Sequence, residues 1–291
     1  MIRKVIADEI KSREITKNVN CDRSIRSVYG AHPDLASIDE RIVRLRKIDL
    51  LNELEETEGQ DHTEQIKALK TERNEYLKNN GIPLDFDNQR VICSACNDTG
   101  YVSINGKETV CSCMKGVLEE CYTKCGLADF ETIKPSAFDL SYFGEEHKEK
   151  RRIVQKELAK IISHLTDNRK SGDGILVYSD MAGRGKTFVA VCFCKLAMMY
   201  GLDSYYLKCG DFAGAYDDKL QRLKKADLLF IDDFSSELTL RNNIAYAFSS
   251  VLEYREVQGL ATVIVSREIK QEMLDNSEER ISSKLKRGRF I

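Results

Sequence analysis

The sequence predicts an α/β fold. A parallel sheet flanked by helices fills the C-terminal half, preceded by a helical hairpin and a small zinc-binding module. Three observations predict this. The stretch Gly174–Phe188 is an apolar run, a glycine-containing turn ending in Gly185-Lys186-Thr187, and the start of a second apolar run. A second apolar segment, Ala226–Phe234, ends in the paired acids Asp232 and Asp233. Upstream, four cysteines are spaced C-x₂-C, fourteen residues, C-x-C.

Composition narrows the classes. At 291 residues the chain can hold more than one domain. The expected division is a helical region over 1–90, a cysteine module and linker over 91–134, and a core over 135–291. No long uncharged apolar run is present, so no membrane-spanning helix is expected. Met1–Glu9 has no apolar h-region and does not read as a secretory signal, so a cytoplasmic protein with no membrane partner is expected. A net charge of -2 excludes a uniformly basic nucleic-acid binder. Ten cysteines in a reducing compartment suggest metal rather than disulfides.

In chain order, residues 1–30 read as partly helical. Ile38, Ile42, Leu45, Ile48 and Leu51 are spaced four, three, three and three, one face of a helix. Gly59 breaks the pattern, and Asp61 with Glu64 resembles a capping box. A second helix carries Ile66, Leu69, Tyr76 and Leu77 and stops at Asn79-Asn80-Gly81, before Pro83. The expectation is an antiparallel pair. So narrow an apolar seam suits a docking module for a partner protein; the plainer alternative is an extension packed on its own domain.

Cys93, Cys96, Cys111 and Cys113 bracket a hairpin that turns at Asn105-Gly106. Two close pairs can wrap one tetrahedral Zn²⁺ with four thiolates. Such a site has no open position, so its expected role is structural. Cys121 and Cys125, on a following helix, are spare or alternative ligands.

The core begins after a linker, Phe138-Asp139-Leu140-Ser141-Tyr142-Phe143. A helix is expected over 147–165, with Ile153, Leu158, Ile161, Ile162 and Leu165 inward. The strand–turn–helix at 174–197 is the context a phosphate-binding loop needs. Gly183 and Gly185 let backbone N–H groups turn inward, Lys186 supplies positive charge for β/γ-phosphates, and the Thr187 hydroxyl is placed for Mg²⁺. Asp180 stands where the loop pattern has its first glycine. Arg184 and Phe188 complete the stretch expected to line a nucleotide. A strand at 204–207 and a helix at 211–224 follow. The acid-ended strand, about 45 residues beyond the loop, would deliver Asp232 to Mg²⁺ and Asp233 to the attacking water. A helix at 242–255 and a buried strand at 260–266 complete the alternation.

These parts, in this order, resemble the bacterial replicative helicase loaders of the DnaC/DnaI group, relatives of the IstB transposition helpers. The residues that carry the resemblance are the cysteine module with Asp98-Thr99-Gly100-Tyr101-Val102, the Phe138–Tyr142 linker, the Asp227–Asp233 strand and the Glu279-Arg280-Ile281-Ser282-Ser283-Lys284-Leu285 ending. The resemblance implies a P-loop AAA+ core that binds ATP or ADP with Mg²⁺, self-association with ATP, and slow or partner-stimulated ATP hydrolysis. It further implies N-terminal helices that dock on a replicative helicase and a core that contacts single-stranded DNA. Arg280 matches the family's trans-acting arginine, which neutralises charge as the γ-phosphate leaves a neighbouring subunit. The departures from the family are Asp180, Arg267 in place of an asparagine after the 260–266 strand, Phe234-Ser235 after the acids, and a stop at Ile291 about where the family runs into a last strand. They leave open a non-hydrolysing adaptor acting by protein contacts; a transposition helper is the third reading. Lys284, Lys286, Arg287 and Arg289 form a basic cluster that suits DNA phosphates or a solvated tail.

Overall fold

The computed structural model describes residues 1–54, 61–139, 145–168, 174–180 and 182–291. The expected break at Gly59 and most of the linker, Leu140–Phe143, lie outside the described residues. The chain divides into two compact units, residues 9–98 and residues 1–8 with 99–291.

The 9–98 unit is built from α1 (Ile2–Ala31), α2 (Pro33–Leu54) and α3 (Thr63–Asn79), α1 contributing all but its first turns. The hairpin of α2 and α3 is present. Asp39 pairs with Arg73 at 2.7 Å, and Asp49 pairs with His62, so the two helices run antiparallel. Ile38 and Ile42 pack against Ile66 and Leu69, with Leu45 at the edge. Beyond Leu45 the seam opens, and Ile48 and Leu51 are exposed. The hairpin is not alone. The polar stretch 1–30, expected to be helical only in part, is one continuous helix. Its Ile25, Val28 and Tyr29 pack on a second cluster of Leu35, Leu77 and Phe86. Tyr29 donates to Asp39 at 2.8 Å, and burial, reinforced by that acid, pushes its hydroxyl up to about 12. The expected capping box does not form. The cap residue of α3 is His62, while Asp61 accepts from the Thr63 N–H and hydroxyl at 2.8 and 2.6 Å. The short Asp61 side chain is satisfied two residues on, so it never reaches the third amide.

In the larger unit, β1 (Tyr101–Ile104) and β2 (Lys107–Val110) form the expected hairpin, with Ile104 opposite Lys107. Asn105 and Gly106 both take positive φ, 51° and 77°, which a two-residue turn of this hand requires. Then come α4 (Lys115–Tyr122) and a connector over 123–130. Gly126 in that connector takes φ +84°, and an added Cβ would lie 1.9 Å from the Tyr206 carbonyl, so the turn sits directly on the sheet.

The core alternates α5 (Glu145–Asn168), β3 (Ile175–Ser179), α6 (Lys186–Met199), β4 (Ser204–Lys208), α7 (Asp217–Lys225), β5 (Leu228–Phe234), α8 (Ser236–Thr239), α9 (Asn242–Gln258), β6 (Ala261–Ser266), α10 (Lys270–Asn276), α11 (Glu279–Leu285) and β7 (Arg289–Phe290). The five strands are parallel, in the order β4-β5-β6-β3-β7. Strands buried on both faces explain their unbroken apolar runs. Three local readings shift. Val154, not Ile153, is the buried residue of its pair on α5. The expected helix over 211–224 is a 3₁₀ segment (Cys209–Gly214) followed by α7. The chain does reach a last strand, since Arg289 and Phe290 pair beside Leu176 and Val177. Among the described residues, no helix is long and apolar enough to cross a membrane.

Candidate nucleotide site

The site lies at the carboxyl ends of β3 and β5, which flank β6 in the sheet. The apolar β3 ends at Ser179, and the loop turns on Gly183 and Gly185, both at φ 74°. That left-handed conformation is strained for any residue with a Cβ. Helix α6 starts at Lys186 with Gly185 as its cap residue, so the amides of its first turn open onto the loop. Thr187 and Phe188 follow in that turn, half-buried. Lys186 is buried, and its Nζ donates to the Asp180 carbonyl at 2.7 Å, across the loop. Burial lowers its pKa, an effect that Asp180 opposes.

Asp232, 3% exposed, is the meeting point of the site. Its Oδ2 accepts from the Thr187 hydroxyl at 2.6 Å and from the Tyr206 hydroxyl at 2.7 Å. Its Oδ1 accepts the Asp233 N–H at 2.8 Å. Side-chain oxygens from three strands and helices thus converge, the hard donor set that suits Mg²⁺. Tyr206 was not singled out from sequence. Only the register of β4 on β5, with Lys208 opposite Asp232, brings that strand to the acid. Burial and then Asp232 push the Tyr206 hydroxyl up, so it remains a donor.

Asp233 is exposed and takes φ 53°, at a bulge where β5 breaks register with β6 between Ile231 and Phe234. The bulge turns two consecutive carboxylates to different environments, one buried and one open. Arg267, also exposed, lies 3.8 Å from Asp233. Arg280 is exposed on α11 beside Tyr246, Ser249 and Glu253. Glu268 anchors the far side of the site, accepting the Ser236 N–H with both oxygens at 2.9 and 3.1 Å.

Asp180, the departure in the loop, faces away from open solvent. Its carboxylate lies 3.0 Å from Arg151 and 3.9 Å from Lys150, neighbours on α5. The basic cluster near the chain's end is also engaged. Lys284 and Arg287 pair with Glu256, and Arg289 pairs with Glu157 at 2.6 Å. These pairs join α11 and β7 to α9 and α5, while the Arg287 side chain stays exposed.

The four thiols Cys93, Cys96, Cys111 and Cys113 lie within 4.8 Å of one another. The first pair sits on a tight turn. Asn97 and Asp98 take positive φ, and the Asp98 carboxylate accepts the Ile92 and Cys93 N–H groups at 3.1 and 2.7 Å. Four thiolates without a carboxylate are the donor set of a closed Zn²⁺ site, so the residues fit that ion. Cys121 and Cys125 are not in the group. Both are fully buried, and burial raises the pKa of each thiol, which reads as packing.

No protein-family model matches the chain, and no curated protein matches it. Solved structures do. DnaA from Aquifex aeolicus with bound AMPPCP is 18% identical over 55% of this chain, with a TM-score of 0.46; the match spans 50% of that DnaA, about half its length. The DnaC helicase loader is 17% identical, TM-score 0.44, over 56% of this chain and 98% of that one. DnaI is 17% identical, TM-score 0.40, over 54% and 87%. The chain's own strand order, its loop after β3 and its acids at the end of β5 make the core a parallel α/β fold with a glycine loop and paired acids at the carboxyl ends of its strands.

Proposed function

We propose that the chain is an ATP-binding DNA replication protein that loads or remodels a replicative helicase on single-stranded DNA. The observation that carries the nucleotide part is the convergence of Thr187 and Asp232, 2.6 Å apart, beside Lys186 and a loop with two left-handed glycines. Gly183, Gly185 and the first amides of α6 hold the phosphates of ATP or ADP; Lys186 leaves the Asp180 carbonyl to meet them. Thr187 and Asp232 are the residues that would hold Mg²⁺, which when bound neutralises charge developing on the phosphoryl oxygens. Asp233, exposed and oriented by its bulge, accepts the proton of an attacking water. Arg280, open on the surface, serves a neighbouring subunit, which makes turnover depend on self-association.

The replication part rests on the sequence resemblance and on the cysteine module joined to this core. The 9–98 helices are the proposed helicase-docking region, where the exposed Ile48 and Leu51 leave an apolar edge. Single-stranded DNA is assigned to the core. The adaptor reading keeps one specific support, Arg267 at the position after β6.

The test is ATP binding and Mg²⁺-dependent turnover by the purified protein, with and without single-stranded DNA and helicase. Binding with turnover that Lys186→Ala abolishes supports the reading. Binding without turnover favours the adaptor, and turnover unchanged in Lys186→Ala removes the assignment.

A further inference from the structure

A carboxylate at the first position of a phosphate loop is, on charge alone, a defect. The surroundings of Asp180 say otherwise. Arg151, 1% exposed, reaches the loop at two points and the strand before it at a third. It pairs with the Asp180 carboxylate at 3.0 Å, donates to the Arg184 carbonyl, and lies over the Tyr178 ring, 5.3 Å from its centre. Its neighbour Lys150 donates to the Ser179 carbonyl at 2.7 Å and lies 3.9 Å from Asp180. Both contacts, to Asp180 on one side of the loop and to Arg184 on the other, are made by one guanidinium nitrogen, Nη2, delivered by α5.

We propose that Arg151 and Asp180 act as a unit that positions the nucleotide loop, the pair rather than the acid standing in for the missing glycine. Neither member suits the site alone. Without the acid, a buried cation loses its counter-charge. Without the arginine, a negative charge is left beside the phosphates. Together they span the loop while Lys150 and Lys186 keep its balance positive. Burial disfavours the charged form of Arg151, and Asp180 is the first influence that opposes it. The inference rests on the nucleotide reading above for its ligand, though not for its geometry.

The experiment compares wild type, Arg151→Met, Asp180→Gly and the double variant, each checked for folding by circular dichroism. Affinity for a fluorescent ATP analogue with Mg²⁺ is titrated well below the unfolding temperature. Each single change should weaken binding about ten-fold, and the double variant should return to within about three-fold of wild type, as coupled neighbours do. Tighter binding by Asp180→Gly alone, or single effects that simply multiply in the double variant, would overturn the proposal. Arg151→Lys keeps the charge but not the planar guanidinium; it should stay about three-fold weaker than wild type, and full affinity would count against a positioning role for the guanidinium. Hydrogen exchange of the 178–187 amides in nucleotide-free protein separates this from the nucleotide reading. Faster exchange in each single variant, reversed in the double, supports the pair even if wild type binds no nucleotide. Unchanged exchange in the single variants sinks it.

Discussion

Tyr206 donates its hydroxyl hydrogen to Oδ2 of Asp232 at 2.7 Å, on the oxygen that also accepts from Thr187. A buried carboxylate held from two sides cannot rotate freely, so the phenol sets the direction in which the acid presents its oxygens. Tyr206→Phe removes one hydroxyl and keeps the ring against Phe130. A hydrogen bond to a charged group is worth about 1.5–3 kcal/mol, and a destabilisation in that range is expected from denaturant titration. Turnover should require more Mg²⁺, while nucleotide binding without Mg²⁺ should hardly change.

Lys186→Ala deletes the one ammonium that spans the loop. Nucleotide affinity should fall by about ten-fold or more, on the order of 1.4 kcal/mol, in equilibrium titration. The fold should persist, because the lysine's partner is the loop's own Asp180 carbonyl and not a core element.

Arg267 and Arg255 separate two kinds of arginine. Arg267 is exposed and 3.8 Å from Asp233, so Arg267→Ala should move stability by less than about 0.5 kcal/mol in denaturant titration. Arg255 is fully buried. It donates to Thr262 at 2.9 Å and to the carbonyls of Leu223, Ala226 and Ala261. Arg255→Ala strands those carbonyls at the end of α7 and the start of β6. A loss of about 3–5 kcal/mol is expected, read as a lower unfolding midpoint or as insoluble protein.

The thiol cluster gives a metal prediction. Purified protein should contain about one zinc per chain by elemental analysis, as a four-thiolate site binds one ion. Cys111→Ser should lose it and unfold the hairpin, while Cys121→Ser should keep it. Retention of zinc by the first variant, or its absence from wild type, contradicts the assignment.

What was readable in the sequence was local. The apolar runs of β3, β5 and β6 announce buried parallel strands, and Gly183, Gly185, Lys186 and Thr187 announce the loop, because each signal is complete within a few residues. The turn at Asn105-Gly106 is legible for the same reason. What escaped depends on strands and helices meeting. Arg151 looks like one charge among several on a polar helix until α5 is laid beside the loop. Tyr206 is an ordinary strand aromatic until β4 pairs with β5. Helix α1 has few apolar residues and no clear period, so its length follows from packing on Leu35, Leu77 and Phe86 and not from its own pattern. Asp61 does not cap α3 because an aspartate can satisfy a nearer amide as readily as a capping one.

Gly126 sets a practical limit on how the protein can be cut. Its backbone lies so close to Tyr206 that no side chain fits between them. The residues after α4 are therefore part of the wall behind Asp232, although they read as a spacer. An isolated core beginning at residue 135 would retain the glycine loop and the paired acids and still lack the support behind the strand that carries those acids. Domain swaps that respect the motifs alone should yield inactive chimaeras, whereas a cut made upstream of the β1–β2 hairpin preserves the wall.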